Sequence, residues 1–320
     1  MERATFPVIV TAVTAETETV NSYELSAVDT DTLPAFSAGS HIDLHLGNGL
    51  VRSYSLVNCQ SERRRYVIGV HRDAEGRGGS RLVHDSLHVG QTVVLSGPRN
   101  NFPLREDARH TVLMGGGIGI TPLLAMMTRL SKLGRPYEVH YVARTRSSAP
   151  FLNRIAELRK SAGADIRVSF SQEEPATRPD IASIVNSAPD DAHLYCCGPS
   201  SLLEAFKEAT ARRPAEFVHL EHFGSAETPT REGEFQVELA RSGVKLDVKP
   251  GQSILDVLIQ AGMDVAFSCE QGVCGTCEVA VLEGIPDHRD TYLTPSEREK
   301  NASLMICCSR SFSDRLVLDL

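Results

Sequence analysis

The stretch Ser268-Cys-Glu-Gln-Gly-Val-Cys-Gly-Thr-Cys277 carries three cysteines, and a fourth, Cys307, follows after 29 intervening residues. This stretch is called the cysteine loop below. The spacing Cys-x4-Cys-x2-Cys with a later Cys is that of plant-type [2Fe-2S] clusters, in which four thiolates hold the iron. Glycines in such a loop let backbone N–H groups approach the sulfur atoms. The predicted metal ligands are therefore Cys269, Cys274, Cys277 and Cys307.

A zinc site is the alternative interpretation, because Cys-x2-Cys pairs also bind zinc in tetrahedral thiolate sites. Structural zinc sites usually contain two matching Cys-x2–4-Cys pairs, whereas this loop has one tight pair and one more distant cysteine. The spacing therefore favours an iron–sulfur cluster. Cys308, next to the fourth ligand, has no role in the motif, and a buried apolar side chain would explain it.

The residues around the cysteine loop predict a small domain of strands and one helix. Strand patterns cover Phe235–Ala240, Lys245–Lys249 and Arg315–Leu320, and a helix pattern covers Ser253–Ala261. From Glu227 to Leu320 there are 16 acidic and 9 basic residues, which gives a net charge of −7 out of −8 for the whole chain. We expect this acidic segment to attract a partner of opposite charge, although such a surface also serves solubility alone.

Before this segment, apolar strands alternate with helices, which is typical of βαβ units and a parallel sheet. The predicted strands are Thr111–Met114, Glu138–Ala143, Ile166–Phe170, His193–Cys196 and Phe217–Leu220, and the clearest helices are Thr121–Leu133 and Ser200–Arg212. The polar stretch Ser225–Gly233 that follows is predicted to be a linker.

Two glycine-rich turns end strands of this α/β region. Met114-Gly-Gly-Gly-Ile-Gly-Ile-Thr-Pro122 joins a strand to a helix, and Tyr195-Cys-Cys-Gly-Pro-Ser200 ends a second strand before another helix. The first turn departs from the Rossmann pattern because Ile120 occupies the third glycine position, and a simple tight loop is its alternative reading. Glycines at the carboxyl ends of parallel strands leave room for a pyrophosphate. Together the two turns predict a nucleotide site.

The first hundred residues are predicted to form short antiparallel strands. His41–Leu46 alternates apolar and polar residues, and Tyr66–Val70 and Thr92–Leu95 are rich in β-branched residues, so we expect a barrel. The motif Arg52-Ser-Tyr-Ser-Leu56 offers an arginine that can pair with a phosphate and a tyrosine that can lie against a flat ring. The glycine turn Gly76-Arg-Gly-Gly-Ser80 can supply backbone N–H groups to the same phosphate. A surface arginine followed by a flexible hairpin explains the same residues.

Composition argues against several classes of function. With 33 basic and 41 acidic residues among 320, the chain is poorly suited to neutralise a nucleic acid backbone. The N-terminus lacks a signal-peptide pattern, and the apolar run Val112–Met127 is too short and too rich in glycine to span a bilayer. We therefore expect a cytoplasmic protein, in which clustered cysteines more often hold a metal than form disulfides. A cluster-bearing redox sensor would need a basic recognition helix or an effector domain, and neither pattern is found.

The three sets of motifs, in this order, resemble the phthalate dioxygenase reductase family, the single-chain reductases of two-component Rieske oxygenases. The resemblance spans essentially the whole chain. It implies an antiparallel Greek-key β-barrel for a flavin at residues 1–104, an α/β parallel-sheet nucleotide domain at 105–226 and a β-grasp plant-type ferredoxin domain at 227–320. It also implies FMN, a [2Fe-2S] cluster and NADH as electron donor. Arg144 and Arg146, after the strand that ends at Ala143, leave NADPH open on the residues alone.

The resemblance also implies roles for single residues. Those implied to hold the FMN phosphate are Arg52, Gly79 and Ser80, and those implied to contact the flavin ring are Tyr54, Ser55, Val70, His71 and Phe223. Those implied to cradle the dinucleotide are Gly116, Gly117, Gly119, Thr121, Cys197 and Gly198. The two predicted catalytic residues are Ser55, near flavin N5, and Cys197, facing the nicotinamide.

The implied reaction passes electrons from NADH through FMN and the cluster to a Rieske-type oxygenase, with an aromatic acid such as phthalate or vanillate as the oxygenase substrate. NADH supplies two electrons as a hydride, whereas a plant-type cluster accepts one at a time, so a flavin is needed between them. A reductase that serves a di-iron hydroxylase or a P450 shares this chemistry and is the alternative.

Overall fold

A computed structural model describes residues 5–46, 51–74, 78–162, 164–173, 178–223, 233–267, 272, 275–290 and 292–320. The chain forms two compact units, Met1–Phe223 and Gly224–Leu320. In the described residues, no helix is long and apolar enough to cross a membrane. The apolar run Val112–Met127 forms a strand, a turn and the start of a helix, as predicted.

The first unit begins with six antiparallel strands: β1 (Thr5–Ala15), β2 (Val20–Ala27), β3 (His41–His45), β4 (Val51–Ser55), β5 (Arg65–His71) and β6 (Thr92–Arg99). They form one sheet in the spatial order β4-β3-β6-β1-β2-β5. An antiparallel bridge between Leu56, just after β4, and Ile68 of β5 joins the two edges of the sheet. Closing a sheet in this way removes its free edges, which is the architecture of a barrel. The predicted barrel is confirmed.

Both faces of β3 are buried, although its alternating sequence predicts one exposed face. Ile42 and Leu44 lie in the barrel core, as expected from the pattern. Asp43 on the other face is 1% exposed, because its Oδ2 lies 2.6 Å from Nη2 of Arg99 and its Oδ1 accepts a hydrogen bond from Ser53 at 2.7 Å. The polar face is therefore covered by an ion pair with further hydrogen bonds, which offsets the cost of removing the carboxylate from water.

A helix that the sequence analysis missed, α1 (Gly79–Ser86), connects β5 to β6. The expectation of a turn or flexible hairpin at Gly79 and Ser80 is wrong, because these two residues form the first turn of the helix. Gly78 precedes it with a φ of 85°, a left-handed conformation that glycine adopts without strain. Val83 of α1 is buried in the barrel core, so tertiary packing stabilises a helix that local propensity does not indicate.

The second half of the first unit is an α/β sandwich. Its elements are β7 (Thr111–Gly116), α2 (Ile120–Leu133), β8 (Tyr137–Ala143), α3 (Leu152–Ala162), β9 (Asp165–Phe170), α4 (Ile181–Ser187), β10 (His193–Gly198), α5 (Ser200–Thr210) and β11 (Val218–His222). All pairs are parallel, in the order β11-β10-β7-β8-β9. Helices α2 and α3 cover one face of the sheet, and α4 and α5 cover the other. The carboxyl ends of β7 and β10 lie side by side at the centre of the sheet, where nucleotides bind in α/β folds.

The second unit contains a mixed sheet and two short helices. Its elements are β12 (Phe235–Leu239), β13 (Lys245–Val248), α6 (Ile254–Gln260), β14 (Glu278–Glu283), β15 (Pro286–Asp287), α7 (Pro295–Lys300), β16 (Ser303–Met305), β17 (Arg310–Ser311) and β18 (Arg315–Leu318). The main sheet has the order β13-β12-β18-β14-β16, in which only β12 and β18 run parallel. Helix α6 starts with a capping box between Ser253 and Asp256 and packs its apolar face on the sheet. Of the predicted linker, only Gly233 lies within the described residues.

Candidate functional site

The start of α1 lies directly against the arginine of β4. A Cβ atom on Gly79 would come 2.4 Å from Nε of Arg52, so only glycine lets the helix backbone approach the guanidinium this closely. The Ser80 hydroxyl accepts the N–H of Asp73 at 3.0 Å, which holds the first turn of the helix in place. Arginine beside the free N–H groups of a helix N-terminus makes a site for a phosphate. The structure thus brings together three residues that the sequence analysis assigned to the FMN phosphate.

The strand that carries Arg52 also carries two of the five residues predicted to contact the flavin ring, Tyr54 and Ser55. Ser55 is buried and Tyr54 is half-buried, and burial raises the pKa of the Tyr54 hydroxyl, so it stays protonated at neutral pH. The bridge between Leu56 and Ile68 runs antiparallel, so its register directs Tyr54 towards Val70 of β5. Residues of both strands can therefore line one flat ring.

Strand β5 also contacts the α/β half of the unit. A Cβ atom on Gly69 would come 2.9 Å from both the Phe151 ring and Cγ2 of Thr121 at the start of α2. The backbone N–H of Phe151 donates to the carboxylate of Glu16, just after β1, at 3.3 Å, which adds a second link between barrel and sheet. The barrel strand with the predicted flavin-edge residues is therefore in direct contact with the predicted nucleotide loop.

The nucleotide loop, Gly116–Thr121, is built from backbone contacts between β7 and β10. A Cβ atom on Gly119 would lie 2.3 Å from the carbonyl oxygen of Cys197, and one on Gly116 would lie 3.4 Å from Cα of Gly198 and closer still to Pro199. Gly117 has a φ of 54° and begins a turn of 3-10 helix that leads into α2. The glycines leave a narrow crevice at the carboxyl ends of two parallel strands, which suits a pyrophosphate.

Two hydrogen bonds fix this loop. The Thr121 hydroxyl donates to the carbonyl of Ile118 at 2.9 Å, and the Tyr141 hydroxyl donates to the carbonyl of Gly117 at 3.1 Å. The loop backbone is therefore held before any ligand arrives. Arg144 and Arg146, which keep NADPH as an alternative to NADH on the sequence alone, lie after β8. Arg144 is exposed, and the Arg146 guanidinium lies over the Phe170 ring, 4.8 Å from its centroid.

Cys197 has a neighbour that the sequence analysis did not assign to the site. The parallel register pairs Cys197 of β10 with Glu221 of β11, and the thiol lies 4.0 Å from the carboxyl oxygen Oε2. Burial raises the pKa of the Cys197 thiol, and burial raises the pKa of Glu221 to about 8, so both groups are protonated at neutral pH. The parallel alignment of the two predicted strands was the sequence signal that could have identified Glu221.

Phe223, predicted to cover the flavin, is the last described residue of the first unit. It follows β11 and is 39% exposed, so part of its ring is accessible at the surface of this unit. His71, at the end of β5, is exposed as well. The structure therefore places both residues on the surface of the unit, where an aromatic side chain remains available to a ligand.

In the second unit, two of the four predicted metal ligands are described, and both are buried. Cys277 is 3% exposed and Cys307 is 8% exposed, and their sulfur atoms lie within hydrogen-bonding reach of each other. The backbone N–H of Gly272, in the cysteine loop, points at the Cys307 sulfur. Cys269 and Cys274 lie outside the described residues. Two adjacent buried thiols with a backbone N–H donor fit an iron–sulfur centre.

Cys308 packs against the cysteine loop and is only partly buried. A Cβ atom on Gly272 would come 2.5 Å from the Cys308 sulfur, so this side chain fills the space beneath the loop backbone. Cys308 therefore packs inside the domain, as expected, but it is not fully buried, because part of its side chain reaches the surface.

The comparisons with known proteins follow the same division of the chain. Residues 237–311 match the family described as 2Fe-2S iron-sulfur cluster binding domain. The chain is 49% identical over 298 residues to phenoxybenzoate dioxygenase subunit beta of Ectopseudomonas oleovorans, covering 93% of this chain and 92% of the relative. It is 46% identical over 319 residues to tetrachlorobenzoquinone reductase of Sphingobium chlorophenolicum, covering 99% and 98%.

A solved structure of phthalate dioxygenase reductase superposes on the chain with a TM-score of 0.85 at 36% identity and covers 99% of this chain and 98% of that one. That structure is described as modular, for electron transfer from pyridine nucleotides to [2Fe-2S]. The predicted barrel, α/β sheet and ferredoxin fold are therefore confirmed, as is the assignment as an oxidoreductase with a [2Fe-2S] domain. The chain belongs to the phthalate dioxygenase reductase family.

Proposed function

We propose that this chain is the reductase component of a two-component oxygenase and passes electrons from NADH through FMN and a [2Fe-2S] cluster to a Rieske-type partner. The observation that carries the proposal is the contact at Gly69, because it joins the strand suited to a flavin to the loop suited to a nucleotide. We propose that the three predicted domains, 1–104, 105–226 and 227–320, bind the flavin, the nucleotide and the cluster in that order. The proposed location of the protein is the cytoplasm.

In this proposal the barrel binds FMN by its phosphate and orients its ring. Arg52 and the first turn of α1, with Gly79 and Ser80, hold the phosphate, since a guanidinium and helix N–H groups converge there. Tyr54 supplies a flat surface for the ring and Ser55 a hydroxyl near N5. Val70, His71 and Phe223 are proposed to line the ring edge and its open face.

The α/β half is proposed to bind NADH and place its nicotinamide beside the barrel. Gly116, Gly117, Gly119 and Thr121 bind the pyrophosphate through backbone N–H groups at the start of α2. Cys197 and Gly198 border the nicotinamide. FMN, when bound, would supply an acceptor for the hydride of NADH and a donor of single electrons, so no residue has to remove a proton from NADH. The protonated Cys197 and Glu221 therefore serve to exclude water and charge from this crevice.

The second unit is proposed to hold the cluster through Cys269, Cys274, Cys277 and Cys307. Its net charge of −7 between Glu227 and Leu320 supports an electrostatic role in steering the oxygenase partner. The partner substrate is proposed to be an aromatic acid, since the phenoxybenzoate dioxygenase subunit is among the relatives most similar to this chain.

The first test is an anaerobic visible spectrum of the purified protein, titrated with NADH and separately with NADPH. We expect flavin and iron–sulfur bands that bleach together at low NADH. Arg52→Ala should lose FMN while retaining iron, and Arg109→Ala, at an exposed arginine of the same unit, is the matched control that should retain both. A colourless protein, or one with zinc and no iron, would contradict the proposal.

A quinone is the second candidate acceptor, because tetrachlorobenzoquinone reductase is 46% identical over 99% of the chain. In that case the purified reductase would reduce a halogenated quinone with NADH at a rate that an added oxygenase component does not increase. Rapid turnover of an aromatic acid only when an oxygenase component is present would favour the first candidate.

A further inference from the structure

Behind the cysteine loop lies a buried acid for which the proposed electron path has no role so far. Asp290 follows β15, and its side chain has 0% exposure. A Cβ atom on Gly272 of the loop would come 2.8 Å from Cα and 3.0 Å from Cβ of Asp290. The acid therefore packs directly against the loop backbone, at the residue whose N–H points at the Cys307 sulfur.

The environment of Asp290 is suited to a carboxylate. Oδ2 accepts the backbone N–H groups of Tyr292 at 3.1 Å and Leu293 at 2.7 Å. Arg298 of α7 lies 3.8 Å from the same oxygen and donates to the main-chain carbonyl of Asp290. Nδ1 of His288 lies 3.8 Å from Oδ1, an oxygen that accepts no hydrogen bond from the described part of the chain. One carboxylate oxygen is thus satisfied, while the other remains in a water-excluded space behind the loop.

A buried charge at this place acts on any redox centre that the loop holds. In the low dielectric of a protein interior, a charge interacts with a nearby centre far more strongly than it does in water. Reduction adds an electron, so a neighbouring carboxylate opposes it and a neighbouring guanidinium favours it. Burial, charge and hydrogen bonds to sulfur are the means by which proteins set cluster potentials.

We propose that Asp290 is a positioning residue for the cysteine loop and that its charge, balanced by Arg298, sets the reduction potential of the cluster. The hydrogen bonds of the carboxylate to Tyr292 and Leu293 hold this segment in place, so that Cα and Cβ of Asp290 pack against Gly272, whose N–H points at Cys307. It also keeps a negative charge behind the loop, so it holds the cluster potential low enough to pass electrons on to the partner. The inference rests on the cluster assignment made under the proposed function.

The test is a spectroelectrochemical titration of the holoprotein and four variants. Asp290→Asn keeps an oxygen for the N–H groups of Tyr292 and Leu293 but removes the charge, so the cluster potential should rise. Arg298→Gln removes the balancing positive charge, so the potential should fall, and Arg298→Lys should restore it. Asp319→Asn is the matched control, because it removes one negative charge from an exposed ion pair with Arg241 and should leave the potential unchanged.

The outcomes separate this inference from the proposed function. A wild-type protein without an iron–sulfur spectrum contradicts the cluster assignment itself. A wild-type cluster whose potential responds to Asp290→Asn no more than to Asp319→Asn overturns the inference alone. Shifts of the same sign in Asp290→Asn and Arg298→Gln also overturn it. If both variants lose iron while their far-ultraviolet circular dichroism is unchanged, the two residues serve only to build the loop.

Discussion

The nucleotide loop and the cysteine loop both depend on close-packed glycines, but different groups lie against those glycines. In the nucleotide loop, Gly119 faces the backbone of Cys197, and that backbone belongs to the neighbouring strand. In the cysteine loop, Gly272 and Gly275 have φ values of 70° and 72° and face Asp290 and the ring of Tyr292. The first site is thus packed on the backbone of a sheet strand, whereas the second rests on the Cys308 sulfur and on the segment that contains Asp290 and Tyr292. A substitution at Gly119 must move a turn against that strand, and one in the second site need move only a loop, a thiol or a ring.

The largest effect is expected for Gly119→Ala. Its Cβ would lie 2.3 Å from the main-chain oxygen of Cys197 in β10, so the turn of 3-10 helix that leads into α2 must move away from that strand. We expect a loss of about 3 kcal/mol in the free energy of unfolding and failure to reduce the flavin with NADH, since overpacking against backbone has no side chain that can yield. Urea unfolding and anaerobic stopped-flow absorbance measure the two effects.

The control for that prediction is Gly134→Ala, at the end of α2. Gly134 has a φ of 63° but no atom within 4 Å of its added Cβ, so only left-handed strain of about 1 kcal/mol should appear. Because Gly119 has a φ of −62°, equal losses in the two variants would show that its contact with the Cys197 backbone is relieved at no more cost than left-handed strain at Gly134.

A smaller effect is expected for the pH dependence of stability, through Glu221. Burial raises its pKa to about 8 from an ordinary value of 4.5, so the folded state holds a proton that the unfolded chain releases. The stabilisation is complete below about pH 4.5 and is lost as the pH rises towards and past 8. We expect the free energy of unfolding of the wild type to fall by roughly 2 kcal/mol between pH 5 and pH 9, and Glu221→Gln not to show this fall. The figure is smaller than the full pKa shift implies because the side chain is partly exposed.

Urea unfolding of wild type and Glu221→Gln across that pH range measures this difference. Glu216→Gln, at an acid without burial in the same unit, is the matched control. Parallel stability curves for wild type and Glu221→Gln would show that Glu221 is ionised in the folded protein at neutral pH.

The smallest effect is expected in the cysteine loop, for Gly275→Ala. The added Cβ would meet the Tyr292 ring at 2.4 Å, and that ring is 49% exposed, so it can turn away. We expect the single variant to lose iron faster to a chelator than wild type. In a double-mutant cycle with Tyr292→Ala, the two changes should couple by about 0.5–1 kcal/mol. Additive effects would mean that left-handed strain at Gly275 accounts for the whole loss.

The sequence was most informative where a motif needs particular residue types at a fixed spacing. The cysteine spacing, the two glycine turns and the βαβ alternation were sufficient to predict the parallel α/β sheet, the ferredoxin fold and most of the elements of their sheets. They were sufficient because hydrophobic period and turn chemistry are local signals. Arg52 of β4 lies against Gly79 at the start of α1, although β5 separates them along the chain, and their role in binding a phosphate stays a prediction.

What the sequence did not predict depends on contacts between distant residues. Asp43 looked like an exposed strand residue, and its burial requires Arg99 from another strand. Glu221 and Asp290 were not assigned to a site, because their importance arises from the strand register beside Cys197 and from the packing of Gly272. Helix α1 was not predicted because its first residues are rich in glycine and Val83 is its one apolar side chain in the barrel core, so the local sequence lacks the pattern of a helix.

The central place of β6 in the barrel sheet has a consequence for the order of assembly during synthesis. In the order β4-β3-β6-β1-β2-β5, the strand β6 lies between β3 and β1 and is the last of the six to leave the ribosome. Until then the chain holds two pieces of sheet, β3 with β4 and β1 with β2 and β5, which meet at the bridge between Leu56 and Ile68. Arg52 and α1 both precede β6 in the chain, so all residues of the phosphate site are synthesised before the strand that connects β3 to β1.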